Sequence, residues 1–122
     1  MKMPLISILL IMLTITACTD TEREEAIIGT WTGVSWTLQG KDGGYNASSA
    51  RFTFEEDKRY QYSYNGHQET GDYFISNQQL HTKPDGGTTM MVKIVRLEGD
   101  TMVFDMNRGG QAEQLVLSRV SE

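Results

Sequence analysis

The chain has 122 residues and a formal charge of −5, from 16 acidic and 11 basic side chains. That length suits one domain, and an acidic surface repels phosphate backbones, which argues against nucleic acid as a partner. The single cysteine leaves no pair for an internal disulfide, so apolar burial and main-chain hydrogen bonds must hold the fold.

The chain opens with Lys2 and an apolar run over residues 5–15, interrupted by Ser7 and Thr14. These are the charged and apolar regions of a secretory signal. At about 1.5 Å per residue the run covers roughly half the hydrocarbon thickness of a bilayer, too short to remain as a spanning helix. It ends in Ile15-Thr16-Ala17-Cys18, which resembles the bacterial lipobox. Small residues there fit a narrow peptidase groove, and the thiol carries the diacylglycerol. Residues 1–17 are therefore expected to be a removed signal peptide, with Cys18 the lipid-modified first residue. Each buried CH₂ of its acyl chains contributes about 0.8 kcal/mol to anchoring. An anchor of this kind implies the cell envelope, and the outer membrane, on its periplasmic or exposed face, is the expected location. Residues 18–26 are polar without an apolar helical face and read as a solvated, lipid-anchored tether.

From residue 27 to 122 no helical period of apolar residues is found. Short β-rich runs, at 29–38, 50–55, 59–64, 71–75, 79–82, 88–97, 101–106 and 114–120, alternate with turn residues such as Asn65-Gly66, Gly99-Asp100 and Gly109-Gly110. This spacing predicts an all-β fold, a small antiparallel up-and-down barrel of about eight strands, with an open two-layer sandwich as the alternative. Side-chain alternation puts Phe52 and Phe54, then Tyr60, Tyr62 and Tyr64, then Met102, Phe104 and Met106 on one face, the expected lumen lining. Leu115 and Leu117 alternate in the same way. In residues 90–97 both parities are apolar, so the face is undecided there, and the tether or a partner is one candidate to cover its outside.

The domain begins Ile27-Ile28-Gly29-Thr30-Trp31, followed by Phe52-Thr53-Phe54, Asp57-Lys58-Arg59-Tyr60, Gly71-Asp72-Tyr73-Phe74-Ile75 and Leu115-Val116-Leu117-Ser118-Arg119. In order and spacing these resemble the small lipocalin-like lipoproteins of the Bacteroides group. The resemblance implies a calycin-like barrel with Trp31 plugging one end and Arg119 packed over it. Parity agrees, because Arg119 shares a face with Leu115 and Leu117, and in a closed meander the last strand pairs with the first. A partly desolvated cation over an indole gains up to about 2 kcal/mol. The chain is shorter than a full lipocalin, so a deep ligand cup is not implied, and eight strands enclose either packed side chains or one small ligand.

His67 and His81 have no companions at metal-ligand spacing, so no metal is expected. No serine sits in a nucleophile elbow, no glycine-rich phosphate loop joins strand to helix, and Glu55, Glu56 and Asp57 lie at a solvent-facing strand end. The expectation is therefore binding without catalysis and without a cofactor. Met90, Met91, Met102 and Met106 fall on two consecutive strands, where they either fill core gaps or line a pocket for a flexible apolar ligand. Asp100-Thr101-Met102 resembles an O-glycosylation acceptor of the Bacteroides group, which makes Thr101 a candidate. The expected protein is a membrane-anchored monomer binding a small apolar ligand or an envelope protein. The alternatives are an envelope inhibitor and a structural subunit of a surface complex.

Overall fold

The computed structural model describes residues 19–121. The expected signal peptide, residues 1–17, and Cys18 lie outside the described residues. Nine strands follow one short helix: α1 (Asp20–Ala26), β1 (Gly29–Leu38), β2 (Lys41–Asp42), β3 (Arg51–Phe54), β4 (Arg59–Tyr64), β5 (His67–Ser76), β6 (Gln79–Pro84), β7 (Met90–Glu98), β8 (Thr101–Arg108) and β9 (Gln111–Arg119), with a 3-10 turn at Ala47–Ser49 before β3. All pairings are antiparallel, in the order β1-β3-β4-β5-β6-β7-β8-β9, and β9 returns to β1. The result is a closed eight-stranded barrel in which every strand of the ring finds a partner on both sides, so the ring itself has no open edge. β2 is the extra strand, hydrogen-bonded to the end of β1. The chain turns at Gln39-Gly40, and Lys41 is already back in the sheet.

Two-residue turns set the register. Asn65 and Gly66, Asn77 and Gln78, and Gly109 and Gly110 all have positive φ, which matches the twist of tight hairpins and lets Tyr64 face His67, Ser76 face Gln79 and Arg108 face Gln111. Two bulges break the strict alternation. In β1 the register with β9 shifts between Gly33 and Ser35, leaving Val34 as the extra, exposed residue. Trp31 before the bulge and Trp36 after it therefore both point inward. Gly33 is required there because a Cβ would lie 2.0 Å from the Ala47 carbonyl oxygen of the 3-10 turn. In β7 the shift between Ile94 and Arg96 leaves Val95 as the extra residue. This resolves the two-sided apolar run: Ile94 is buried and Leu97 half-buried, while Met91 and Val95 face out.

Residues 20–26 are not a solvated tether. Thr19 caps α1 by accepting from the Glu22 N–H, and the helix docks on the β5–β6 hairpin through its carboxylates. Asp20 accepts from the Asn77 and Gln78 N–H groups of the turn, and Glu24 accepts from the Ile75 N–H and pairs with Lys58. The next residue along the chain, Ile27, is fully buried. The segment runs beside β7 without covering it, so Val95 stays exposed.

Desolvation of Glu24 favours its neutral form, but the Ile75 N–H and the Lys58 ammonium outweigh it and hold the carboxyl below its usual range; the Asn77 and Gln78 N–H groups do the same for Asp20. A depressed carboxyl stabilises the fold fully above its unfolded pKa, and that contribution is lost as pH falls through the folded value. Glu24→Ala is expected to lower stability by about 2 kcal/mol near neutral pH. The gap to the parent should shrink as the pH approaches about 3. Denaturant titrations across this range would check it, and a gap independent of pH would show that the charge of Glu24 does not hold the helix.

Candidate ligand-binding lumen

The barrel has two unlike ends. At one end, Trp31 and Arg119 face each other across the β1–β9 ladder. Trp31 is fully buried, and its Nε1 donates to the Ile27 carbonyl at 2.9 Å. The Arg119 guanidinium carbon lies 4.3 Å from the Trp31 ring centroid. Its Nη1 donates to Ile28 O at 2.7 Å and its Nη2 to Ala26 O at 2.6 Å. A cation at the last carbonyl of α1 also complements the negative end of the helix dipole. Asp100, on the β7–β8 turn, lies 3.4 Å from Arg119 Nε. A charge that would be costly if buried alone is thus shared among two carbonyls, a ring face and a carboxylate. Arg119 joins the first strand, the last strand and the helix, and it seals this end.

Above the plug the lumen is packed. Phe54, Tyr60, Met102 and Phe104 are buried, and Phe52, Tyr62, Tyr64 and Met106 are half-buried against the same cluster. All eight residues expected to line the lumen face it. Phe52 stacks along Phe54 and meets Tyr62 at 4.6 Å and Phe104 at 5.7 Å between ring centroids. Tyr60 donates its hydroxyl to Glu69 at 2.7 Å, and burial together with that carboxylate pushes its pKa up. Burial also raises Tyr73, to about 12, and its hydroxyl donates to Glu55 O. Tyr64 sits at the rim, its ring edge-on to Trp36, and its hydroxyl oxygen accepts from the Asn46 N–H.

At the opposite end a cavity of about 130 Å³ remains, bordered by Trp36, Phe52, Tyr62, Leu80, Val92 and Phe104 among others, with Glu69, Met90 and Arg108 at its edge. Its walls are mostly apolar. A drug-sized ligand needs roughly 300 Å³ or more, whereas a cavity near 150 Å³ holds one benzene ring. The lumen is therefore filled over most of its depth and open to one small apolar group at its mouth. Met102 fills the core and Met90 and Met106 border the cavity, whereas Met91 takes neither role and faces out.

Arg108 and Glu113, on the inward faces of β8 and β9, form the polar rim. Arg108 Nε donates to Glu113 at 2.6 Å and Nη2 at 3.3 Å, and Glu113 is only 4 % exposed. Arg108 holds the carboxyl below its usual range, against desolvation, with Tyr45 as a lesser contributor. Trp36 stands beside Glu113 without hydrogen-bond geometry, so its buried Nε1 has no partner among the described residues. Its ring stacks on Tyr45 at 4.4 Å, and the Arg108 guanidinium carbon lies 5.9 Å from it.

Sequence reasoning missed Trp36, Tyr45, Glu69, Arg108 and Glu113. A strict two-residue period from Trp31 puts Trp36 outside. Arg108 and Glu113 lay beyond the assumed strand ends, although extending the series Met102, Phe104, Met106 and Leu117, Leu115 by one step finds both. His81 lies within β6 and stacks on Phe74 at 4.3 Å, while His67 opens β5. Thr101 opens β8 after the Gly99-Asp100 turn, half-buried, opposite Ser118.

Among curated proteins, none matches the chain. A family model described as a lipocalin-like domain matches residues 27–104, from the buried Ile27 to Phe104 in β8. That span holds the Gly29-Thr30-Trp31 opening and seven of the eight ring strands, β8 in part, and the chain belongs to the lipocalin-like domain family.

Proposed function

We propose that this protein is a lipid-anchored lipoprotein of the cell envelope that binds a small, mostly apolar molecule at the mouth of its barrel. A lipocalin-like barrel suggests small-ligand binding in general and is typically a binding fold rather than an enzyme. The observation that carries the reading is the apolar cavity between Trp36, Phe52, Tyr62 and Leu80, at the end away from the Trp31 plug. Anchoring through Cys18 rests on the sequence motif before it, and outer-membrane placement rests on the family resemblance. Cys18 precedes by two residues Asp20, which is bonded to the β5–β6 turn at the plugged end. An anchor there leaves the mouth facing away from the bilayer. Thr101 is the proposed O-glycosylation position, at the start of β8 and directly after the Gly99-Asp100 turn of the same plugged end.

One observation favours a second reading, that of an interaction subunit. Phe74, His81 and Met91 lie opposite one another on β5, β6 and β7. Together they form an outward row in which Phe74 and Met91 are at least half exposed. Charged residues at those positions would be the usual surface.

Native mass spectrometry of the protein extracted in detergent from its host's membranes tests both readings. The expected mass begins at an acylated Cys18 and carries a small ligand that Val92→Trp, which fills the cavity, abolishes. A protein beginning at Met1, or a ligand retained in Val92→Trp, would overturn the first reading. A copurifying protein lost on Met91→Lys would establish the second.

A further inference from the structure

We infer that the mouth of the lumen selects a positively charged head group, so that the ligand class is a small apolar amine and not a fatty acid or other carboxylate; this rests on the lumen-binding reading above. Two charged side chains border the cavity, Arg108 and Glu69, and they differ in what is already bound to them. Arg108 is engaged by Glu113 through two hydrogen bonds. Glu113 is almost fully buried while Arg108 is half-exposed, so drawing Arg108 away would leave a buried carboxylate without its counter-ion, a costly outcome. A carboxylate ligand would have to share that one guanidinium with Glu113 while approaching Glu69.

Glu69 has no such counter-ion. Among the described residues its one bond is the neutral hydroxyl of Tyr60 at 2.7 Å, and no cation stands within ion-pair distance. It lies at the wall of a cavity whose lining includes the aromatic rings of Phe52 and Tyr62, 4.6 Å apart, and of Trp36. A carboxylate beside aromatic faces is the environment in which ammonium groups are held. With the Arg108–Glu113 pair neutral as a unit, the charge left at the cavity is negative. The volume limits the apolar body to about one ring or a short alkyl chain.

The test is calorimetric titration of the intact protein with three probes sharing one apolar body: hexylammonium, hexanol and hexanoate. Hexylammonium is expected to bind roughly tenfold more tightly than hexanol, with hexanoate weakest. Glu69→Gln keeps an acceptor for Tyr60 and should bring hexylammonium to the level of hexanol. Hexanol equal to hexylammonium in the unaltered protein, hexanoate bound most tightly, or an amine preference that survives Glu69→Gln would each overturn the inference while leaving lumen binding intact. Failure of all three probes to bind would overturn the lumen-binding reading as well.

Discussion

Replacing Trp31 by alanine is expected to lower stability by about 3–5 kcal/mol, the cost of a large cavity where neighbours cannot collapse. Trp31 is fully buried at the plugged end, and its surroundings are held by main-chain bonds. Its removal also takes the ring face from Arg119 while leaving the two carbonyl bonds in place. Domains of this size have a total stability of about 5–15 kcal/mol, so the variant should stand at the edge of folding. A double-mutant cycle with Arg119→Met separates the cavity from the cation–ring contact, whose coupling is expected at about 1–2 kcal/mol. Urea titration of the four proteins measures both quantities. A loss below about 1 kcal/mol for Trp31→Ala would show that the tryptophan is not what closes this end.

Gly71→Ala is the second substitution with a large expected effect. Gly71 faces inward from β5, between Tyr60 on β4 and Pro84 on β6. A Cβ there would lie 2.0 Å from the Lys83 carbonyl oxygen and 2.8 Å from the Pro84 Cα. Both neighbours are backbone, so no rotamer change relieves the overlap, and the β5–β6 ladder must part. The expected loss is about 3 kcal/mol. In a domain of this size that corresponds to a fall in Tm of roughly 12 °C or more. A thermal melt within a few degrees of the parent would show that the two strands separate freely at this point.

Much of the fold was legible because its local signals agree with its global form. Asn65-Gly66 and Gly109-Gly110 sit at hairpin turns, and the alternating Phe52, Tyr60 and Phe104 series face one lumen. What escaped was non-local or aperiodic. The bulges at Val34 and Val95 insert one residue each, and nothing in the adjacent sequence announces the change of face that brings Trp36 and Leu97 inward. The helix α1 has no apolar stripe, because its docking energy comes from carboxylates bonded to amides 51 and more residues away. One local signal was present: Thr19 with Glu22 three residues on is the pattern of a helix N-terminus, and the Thr19 hydroxyl does accept there. The charged rim was hidden because the expected run in β8 stopped at Met106 and the one in β9 began only at Gln114, one residue after Glu113.

The bonds from Arg119 to Ile28 and Ala26 span 91 and 93 residues, and they set an order on folding. Until the final strand is in place, β1 and β8 each present an unpaired edge, and the closing ladder that satisfies both runs through nearly the whole chain. Contacts so distant in sequence make folding slow, and open edges in the meantime invite pairing with other chains. A chain shortened before Arg119 would thus be exposed to aggregation out of proportion to the few residues removed.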